Sequence, residues 1–137
     1  MKIITDTREQ LPLFDEEFRA LNVGDYTTLK LLDKFHIERK SLLDLYQTLT
    51  SGNNRFKYEL FRAAYRRTKL VVYVEGSFED FINKRFPKGS ERKFSKDGLE
   101  TLVKTFQKKY FLEFNWCKNR AACRQAVYKR LVQESSK

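Results

Sequence analysis

The triplet Glu38-Arg39-Lys40 closes a β-rich run, and Asp25 of "VGDY" stands just ahead of the run before it. Side chains alternate along a strand, so Glu38 and Lys40 share one face and Arg39 takes the other. If residues 26–32 pair with residues 35–40 as a hairpin, Asp25 arrives at the end that carries Glu38 and Lys40. Two carboxylates and one ammonium then converge at one edge of a sheet. Hydrolysis of a phosphodiester calls for such a set. Two carboxylates hold a hard divalent cation through oxygen. The cation polarises the phosphate and lowers the pKa of bound water. A lysine beside it positions or deprotonates that water and offsets charge building on the phosphate oxygens. Asp6, just after the first apolar run, is a third acid within reach of the same place. Taken alone, Glu-Arg-Lys equally suits a solvated strand end ahead of a helix; Asp25 and the strand-face argument separate the two readings.

A second Glu-Arg-Lys stands at Glu91–Lys93, again followed by an aspartate, Asp97. It lies in "PKGSERKFSKDG" (87–98), a polar stretch with two glycines and two serines that reads as a loop. No Gly-Asp pair precedes it. Ser95 suits the cap of the next helix, with Asp97 in its favourable first turn. Lys88, Arg92, Lys93 and Lys96 suit contact with a phosphate backbone rather than catalysis.

The elements that must position these residues follow from periodicity. Residues 2–5 read as a short strand, and 17–26 as extended up to a turn at Gly24. Residues 27–32 and 35–40 are two β-rich runs joined by Asp33-Lys34, which predicts a hairpin. Ser41 caps a helix with Leu42, Leu45 and Leu49 on one face, ended by Gly52. Residues 54–68 form a second helix, with Phe56, Leu60, Ala63 and Ala64 inward and Arg55, Arg62, Arg66 and Lys69 supplying positive charge. "KLVVYVEG" (69–76) reads as a buried central strand. Residues 78–86 are a short helix, 99–110 an amphipathic one, 111–117 a strand and 120–133 a closing helix. The sum is an α/β domain, a mixed central sheet flanked by helices.

The chain has 137 residues, one domain's worth, with 28 Lys and Arg against 18 Asp and Glu, for a net charge of +10. A folded domain so basic most often meets a polyanion, nucleic acid above all. No apolar stretch is long enough to span a membrane, and the first segment reaches an acid at Asp6, before any signal-like apolar region forms. Cys117, Cys123 and the single histidine, His36, do not make a plausible zinc site. The cysteines read as ordinary thiols of a reducing compartment, so an intracellular protein of the cytoplasm, nucleoid or nucleus. His36 shares a strand face with Glu38 and is either a site neighbour or a packed hairpin histidine. Trp116 reads as core.

In order along the chain come "IITDTREQLP", "VGDY", "IERKSLLDL", "SGNNRFKYELFRA" and "LVVYVEG". This series resembles the XPF-type structure-specific endonuclease domain, whose signature is Gly-Asp, a variable gap, then Glu-Arg-Lys-x-x-x-Asp. The resemblance covers roughly residues 2–133. It implies a restriction-endonuclease-like fold and a Mg²⁺- or Mn²⁺-dependent endonuclease acting on branched, flap or junction DNA. It also implies metal ligation by Asp25, Glu38 and the Arg39 carbonyl, with Asp6 a further possible ligand, and catalysis by Lys40. Asp6, Arg8 and Glu9 match the family's Asp-x-Arg-Glu opening, in which the arginine supports the site. Glu9 and Asp44 are implied to back the first set, although Asp44 also reads as a helix-surface acid. Arg55 matches an arginine facing the scissile strand, but it follows Asn54 where the family usually has Gly, and Glu59 stands where many members carry Gln. Relatives dimerise through this domain, which implies a homodimer or heterodimer; the apolar stripes of the last two helices either form that surface or face the sheet. Many relatives add a tandem helix-hairpin-helix module; the expectation here is a single nuclease domain over residues 1–137 without one. The alternatives are an inactive DNA-binding or dimerisation partner of the same fold, a junction-resolving nuclease sharing only Asp…Glu-x-Lys, and a plain nucleic-acid-binding module. Members of the inactive kind lack the acids or the lysine, and this chain keeps them all.

Overall fold

Residues 70–74, Leu-Val-Val-Tyr-Val, are apolar at every position, as a strand covered on both faces must be. The computed structural model describes residues 1–83 and 94–137 and builds them around that strand. The sheet has six strands in the order β2-β1-β3-β4-β5-β6. They are β1 (Ile3–Thr5), β2 (Glu17–Phe18), β3 (Tyr26–Thr28), β4 (Phe35–Ser41), β5 (Lys69–Glu75) and β6 (Glu113–Trp116). Two pairs, β1 with β3 and β3 with β4, are antiparallel; the other neighbours are parallel. The helices are α1 (Leu42–Leu49), α2 (Asn53–Tyr65), α3 (Phe78–Ile82), α4 (Lys96–Tyr110) and α5 (Arg120–Ser135). The expected α/β architecture, a mixed sheet between helices, is what forms.

Two cores lie on the two faces of the sheet. Val71 and Tyr73 point with Tyr26 and Ile37 into a core closed by Cys123, Val127 and Leu131 of α5. Val72 and Val74 point the other way, against Leu45 and Leu49 of α1, Phe56 of α2, Phe81 of α3 and Leu99, Val103 and Phe106 of α4. The apolar stripes of α4 and α5 therefore face the sheet rather than an outside partner. Register carries this division to β4. Glu38 lies beside Val72 and Lys40 beside Val74, whereas Arg39 lies beside Tyr73. Glu38 and Lys40 thus belong to the α1–α2 face and Arg39 to the α5 face.

Several local expectations change. The hairpin of β3 and β4 forms, but its connection is longer than Asp33-Lys34. Residues 29–34 are successive turns, with Lys34 N–H and Phe35 N–H both donating to Leu31 O at 2.7 and 2.9 Å. Asp33 takes a left-handed φ of 62°, a conformation Asp tolerates better than most residues. Of residues 17–26, Glu17–Phe18 and Tyr26 are strand; β2 joins β1 in parallel and the chain then bends to Gly24 at φ +73°. Gly52 does not end α1. Thr50 caps that helix and Gly52 opens α2. Ala64 is exposed, because the inward stripe of α2 runs through Phe56 and Ala63. The helix expected over 78–86 ends at Ile82, with Asn83 as its cap. Ser95 does cap α4, accepting from Gly98 N–H at 3.0 Å. The second Glu-Arg-Lys and Lys88 lie outside the described residues.

Trp116 is half-buried rather than core, packed on Phe78, Phe81 and Phe114 with centroids 5.3–5.9 Å away. His36 is fully buried, and both ring nitrogens are engaged. Nε2 accepts from Asp33 N–H at 2.9 Å, so Nδ1 carries the hydrogen that Val23 O accepts at 2.7 Å. The packed-hairpin reading of His36 holds. Among the described residues no helix is long and apolar enough to cross a membrane.

Candidate active site

Where β3 stops, β4 continues, and the exposed flank of β4 is where Asp25 lands. Asp25 N–H donates to Ile37 O at 2.8 Å, and Asp25 Oδ2 accepts from Arg39 N–H at 2.7 Å. Backbone groups alternate sides along a strand. Phe35 O and Ile37 O both serve the β3 side, to Thr27 Oγ1 at 2.8 Å and to Asp25 N. The Arg39 carbonyl points to that same side, past the end of β3 and toward Asp25. The Asp25 and Glu38 carboxyls are close enough for the charge of Glu38 to raise the Asp25 pKa. Lys40 Nζ is 3.2 Å from Glu38 Oε2 and 5.9 Å from the Phe56 ring centroid. The convergence expected of Asp25, Glu38 and Lys40 is present.

Electrostatics mark the cluster. Burial first, then the charges of Glu38 and Glu9, push the Asp25 carboxyl well above the usual carboxylate range, against the Arg39 N–H. A neighbouring carboxylate disfavours the charged form of Asp25, a cost that a bound cation would relieve. For Lys40, burial favours the neutral amine, but Glu38 outweighs it and raises the pKa. Glu59 of α2 is raised to about 7 by burial and by Glu38, even while it accepts from Gly24 N–H at 3.2 Å.

Glu38, Lys40 and Glu59 open onto a cleft of about 650 Å³ between β4, α1 and α2. Arg55 and Arg62 form its basic wall, and Asp44, Gln47 and Thr48 its other side. Arg55, Glu59 and Arg62 follow one another at helical spacing, so the placement of Glu59 was available from periodicity. Arg66 is apart from this cleft, lining a second groove farther along α2. Asp44 is exposed and closes a capping box with Ser41, its N–H 3.0 Å from Ser41 Oγ. It is at once a helix-capping acid and part of the cleft wall.

The remaining motif residues form the frame. Asp6 N–H donates to Asp25 O at 2.8 Å, but the Asp6 carboxylate is taken by Arg8 Nε, Arg8 Nη2 and the N–H groups of Arg8 and Leu21, at 2.8–3.2 Å. Burial would raise its pKa, and these donors, Arg8 first, lower it. Glu9 takes Arg39 Nε and Nη2 in a two-point contact, both at 2.9 Å, and also the Tyr26 hydroxyl at 2.9 Å. Arg39 Nη1 reaches Glu75 at 2.6 Å. Glu75 was missed by sequence reasoning, since nothing local in "VYVEG" points to a partner in β4.

The donor set suits a hard divalent cation. Two carboxylates and a carbonyl offer oxygen only, and Mg²⁺ commonly takes one or two carboxylates and keeps waters or substrate phosphates in its other positions. Among the described residues no group of three His, Cys, Asp or Glu side chains forms a ready cage. A cation here would bind through few protein ligands.

Residues 3–129 match the ERCC4 domain. The structure is similar to XPF from Aeropyrum pernix, with a TM-score of 0.72 at 18% identity over 97% of this chain and 64% of that one. It is equally similar, at 0.72, to XPF from Aeropyrum pernix in complex with DNA, at 20% identity over 98% of this chain and 64% of that one. The chain thus spans about 64% of the length of those structures. No curated protein matches it. At such identities the likeness establishes the fold, and the family rests on the match that spans nearly the whole chain: the protein belongs to the ERCC4 domain family.

Proposed function

We propose that this chain is the nuclease domain of a divalent-metal-dependent DNA endonuclease that hydrolyses phosphodiester bonds in branched, flap or junction DNA. The observation that carries the reading is that Glu38 and Lys40 open together onto a cleft with an arginine wall, with the buried Asp25 carboxyl close to Glu38. Asp25, Glu38 and the Arg39 carbonyl would hold Mg²⁺ or Mn²⁺, which when bound polarises the phosphate and acidifies water. Lys40, held charged by Glu38, donates to the attacked phosphate or to the water and offsets developing negative charge. Arg55 and Arg62 bind the backbone of the strand to be cut and fix its register. Asp6 and Arg8 lock the turn that presents Asp25, and Glu9 locks Arg39 behind the site. Self-association through this domain belongs to the same reading and would show as a dimer in sedimentation.

The test is cleavage of single-stranded, duplex, splayed-arm, 3′-flap and four-way-junction DNA in Mg²⁺, Mn²⁺ or EDTA, with Glu38→Gln and Glu91→Ala beside the wild type. Cleavage that needs metal and is lost in Glu38→Gln alone is the expected result. Cleavage that persists in EDTA, or in Glu38→Gln, overturns the assignment. Salt-sensitive binding without any cleavage points instead to an inactive DNA-binding partner.

A further inference from the structure

Helix α2 turns Phe56 and Ala63 inward, yet it holds three large aromatics outward: Tyr58, Phe61 and Tyr65, at 67%, 63% and 91% exposure. They recur at i, i+3 and i+7, so they form one stripe roughly 10 Å long. Arg62 and Arg66 interleave with them, and the five side chains line a shallow groove of about 440 Å³. Among its lining residues there is no acid. Arg62 also lines the catalytic cleft, so the groove is a continuation of the cleft along α2.

We propose that this stripe is a stacking platform for unpaired nucleotides of the DNA strand that enters the cleft. Aromatic faces bind bases of any sequence by stacking, while interleaved arginines hold the phosphates; together they make a sequence-tolerant single-strand site. The charge selects this occupant. A second copy of the chain docked through the same stripe would set Arg62 and Arg66 against their own counterparts, with no acid on the face to pair them. A polyanion with flat apolar bases complements both features. The inference deepens the endonuclease reading and rests on it for the strand's destination: the substrate has single-stranded DNA immediately beside the scissile phosphate, and the platform holds that arm.

The test measures binding in EDTA, where no metal-dependent cleavage interferes. Fluorescence anisotropy compares a labelled single-stranded oligonucleotide with a duplex of the same sequence. For the wild type and for Tyr58→Ala, Phe61→Ala and Tyr65→Ala, each ring removed weakens single-strand binding about fivefold, and the triple variant about a hundredfold. Duplex affinity and melting temperature stay near wild type, because the rings are exposed and bury no core. Tyr65→Phe keeps the affinity of the wild type. Arg62→Gln and Arg66→Gln each flatten the salt dependence by about 0.7 in log–log slope. Equal single-strand affinity in the wild type and the triple variant overturns the proposal. So does a wild-type dimer in sedimentation that the triple variant turns into a monomer, since the stripe would then join two copies. If the aromatic variants lose single-strand binding but the wild type cleaves nothing in Mg²⁺ or Mn²⁺, the platform stands and the nuclease reading falls.

Discussion

Arg39 sits between two residues to which the proposed chemistry is assigned, and its side chain, unlike its carbonyl, takes no part in it. Its side chain is 7% exposed and lies on the α5 face, held by Glu9 at two points and by Glu75 at one. Burial alone would lower its pKa, and the two carboxylates raise it far beyond the ordinary value. Arg39→Met keeps much of the volume and removes the charge. Breaking a buried pair by deleting one partner costs about 3–5 kcal/mol, because the other charge is left uncompensated. The two acids differ in how much they lose. Glu75 retains Arg120 Nη1 at 3.1 Å, whereas Glu9, itself 7% exposed, retains the Tyr26 hydroxyl and, among the described residues, no second cation within ion-pair distance. Most of the cost therefore falls on Glu9. At roughly 4 °C per kcal/mol for a domain of this size, Arg39→Met should melt about 12–20 °C below wild type. Arg39→Lys should recover little, since one ammonium cannot reproduce a planar fork serving both acids. The decisive assay is a pair of double-mutant cycles read by urea unfolding. Glu9→Gln should restore most of the loss in the Arg39→Met background, and Glu75→Gln much less. An Arg39→Met variant within about 1 kcal/mol of wild type, or cycles with equal coupling to Glu9 and Glu75, would refute the reasoning.

Two other perturbations probe the frame. Gly24 has φ +73°, and an added Cβ would stand 3.0 Å from Leu70 Cδ1 and 3.2 Å from both His36 Cβ and Ile37 O. Gly24→Ala should cost about 1–3 kcal/mol in thermal unfolding and should weaken cleavage beyond that loss, because it shifts the residue that precedes Asp25; unchanged stability and activity would show that the turn has slack. On the far edge, Arg130 at 2.6 Å, helped by Asn115, lowers the Glu113 pKa from its ordinary 4.5, and Lys69 and the Tyr73 hydroxyl also face this pair. The folded state then binds fewer protons than the unfolded chain, so this stabilisation is full above about pH 4.5 and is lost as pH falls through the lowered value. The melting difference between wild type and Glu113→Gln should be about 1 kcal/mol or less, given the exposure of Glu113, and should vanish toward pH 2; a difference that grows on acidification would reverse the sign and sink the account.

The candidate site was legible where it depended on period and defeated reasoning where it depended on distance. Strand alternation alone put Glu38 with Lys40 and sent Arg39 away, and one Gly-Asp turn brought Asp25 to them. The sequence grouped Arg55, Arg62 and Arg66 as positive charge on one helix, whereas the structure sets Glu59 with Arg55 and Arg62 in the cleft and leaves Arg66 outside it. The length of the β3–β4 connection was not legible, because Leu29–Leu32 are as apolar as a strand; six turn residues and a left-handed Asp33 won over that pattern. The partners of Arg39 were hidden for another reason. Glu9 and Glu75 lie 30 and 36 residues away, and no local pattern encodes a pairing across two strands. Asp6 shows the same limit, since its approach to Asp25 was expected while the donors that occupy its carboxylate come from Arg8 and from Leu21, 15 residues on.

These facts explain why three contiguous charges serve two different purposes. A strand one residue thick presents its odd and even side chains to separate compartments. On the α1–α2 side, Glu38 and Lys40 open onto the cleft, which is the access to water, a cation and a DNA strand that the proposed chemistry requires. On the α5 side, Arg39 must be dry, because its hold on Glu9 gains strength from low dielectric and its stiffness is passed to the backbone that carries Glu38 and Lys40. Arg39 also acts through its own N–H, which fixes Asp25 Oδ2 at 2.7 Å. One residue thereby anchors the acid from the neighbouring strand and the network behind the sheet. A substitution that spared both neighbours in the triplet but loosened Arg39 would therefore damage the site from its reverse side, by moving Asp25 relative to Glu38 without touching either carboxylate.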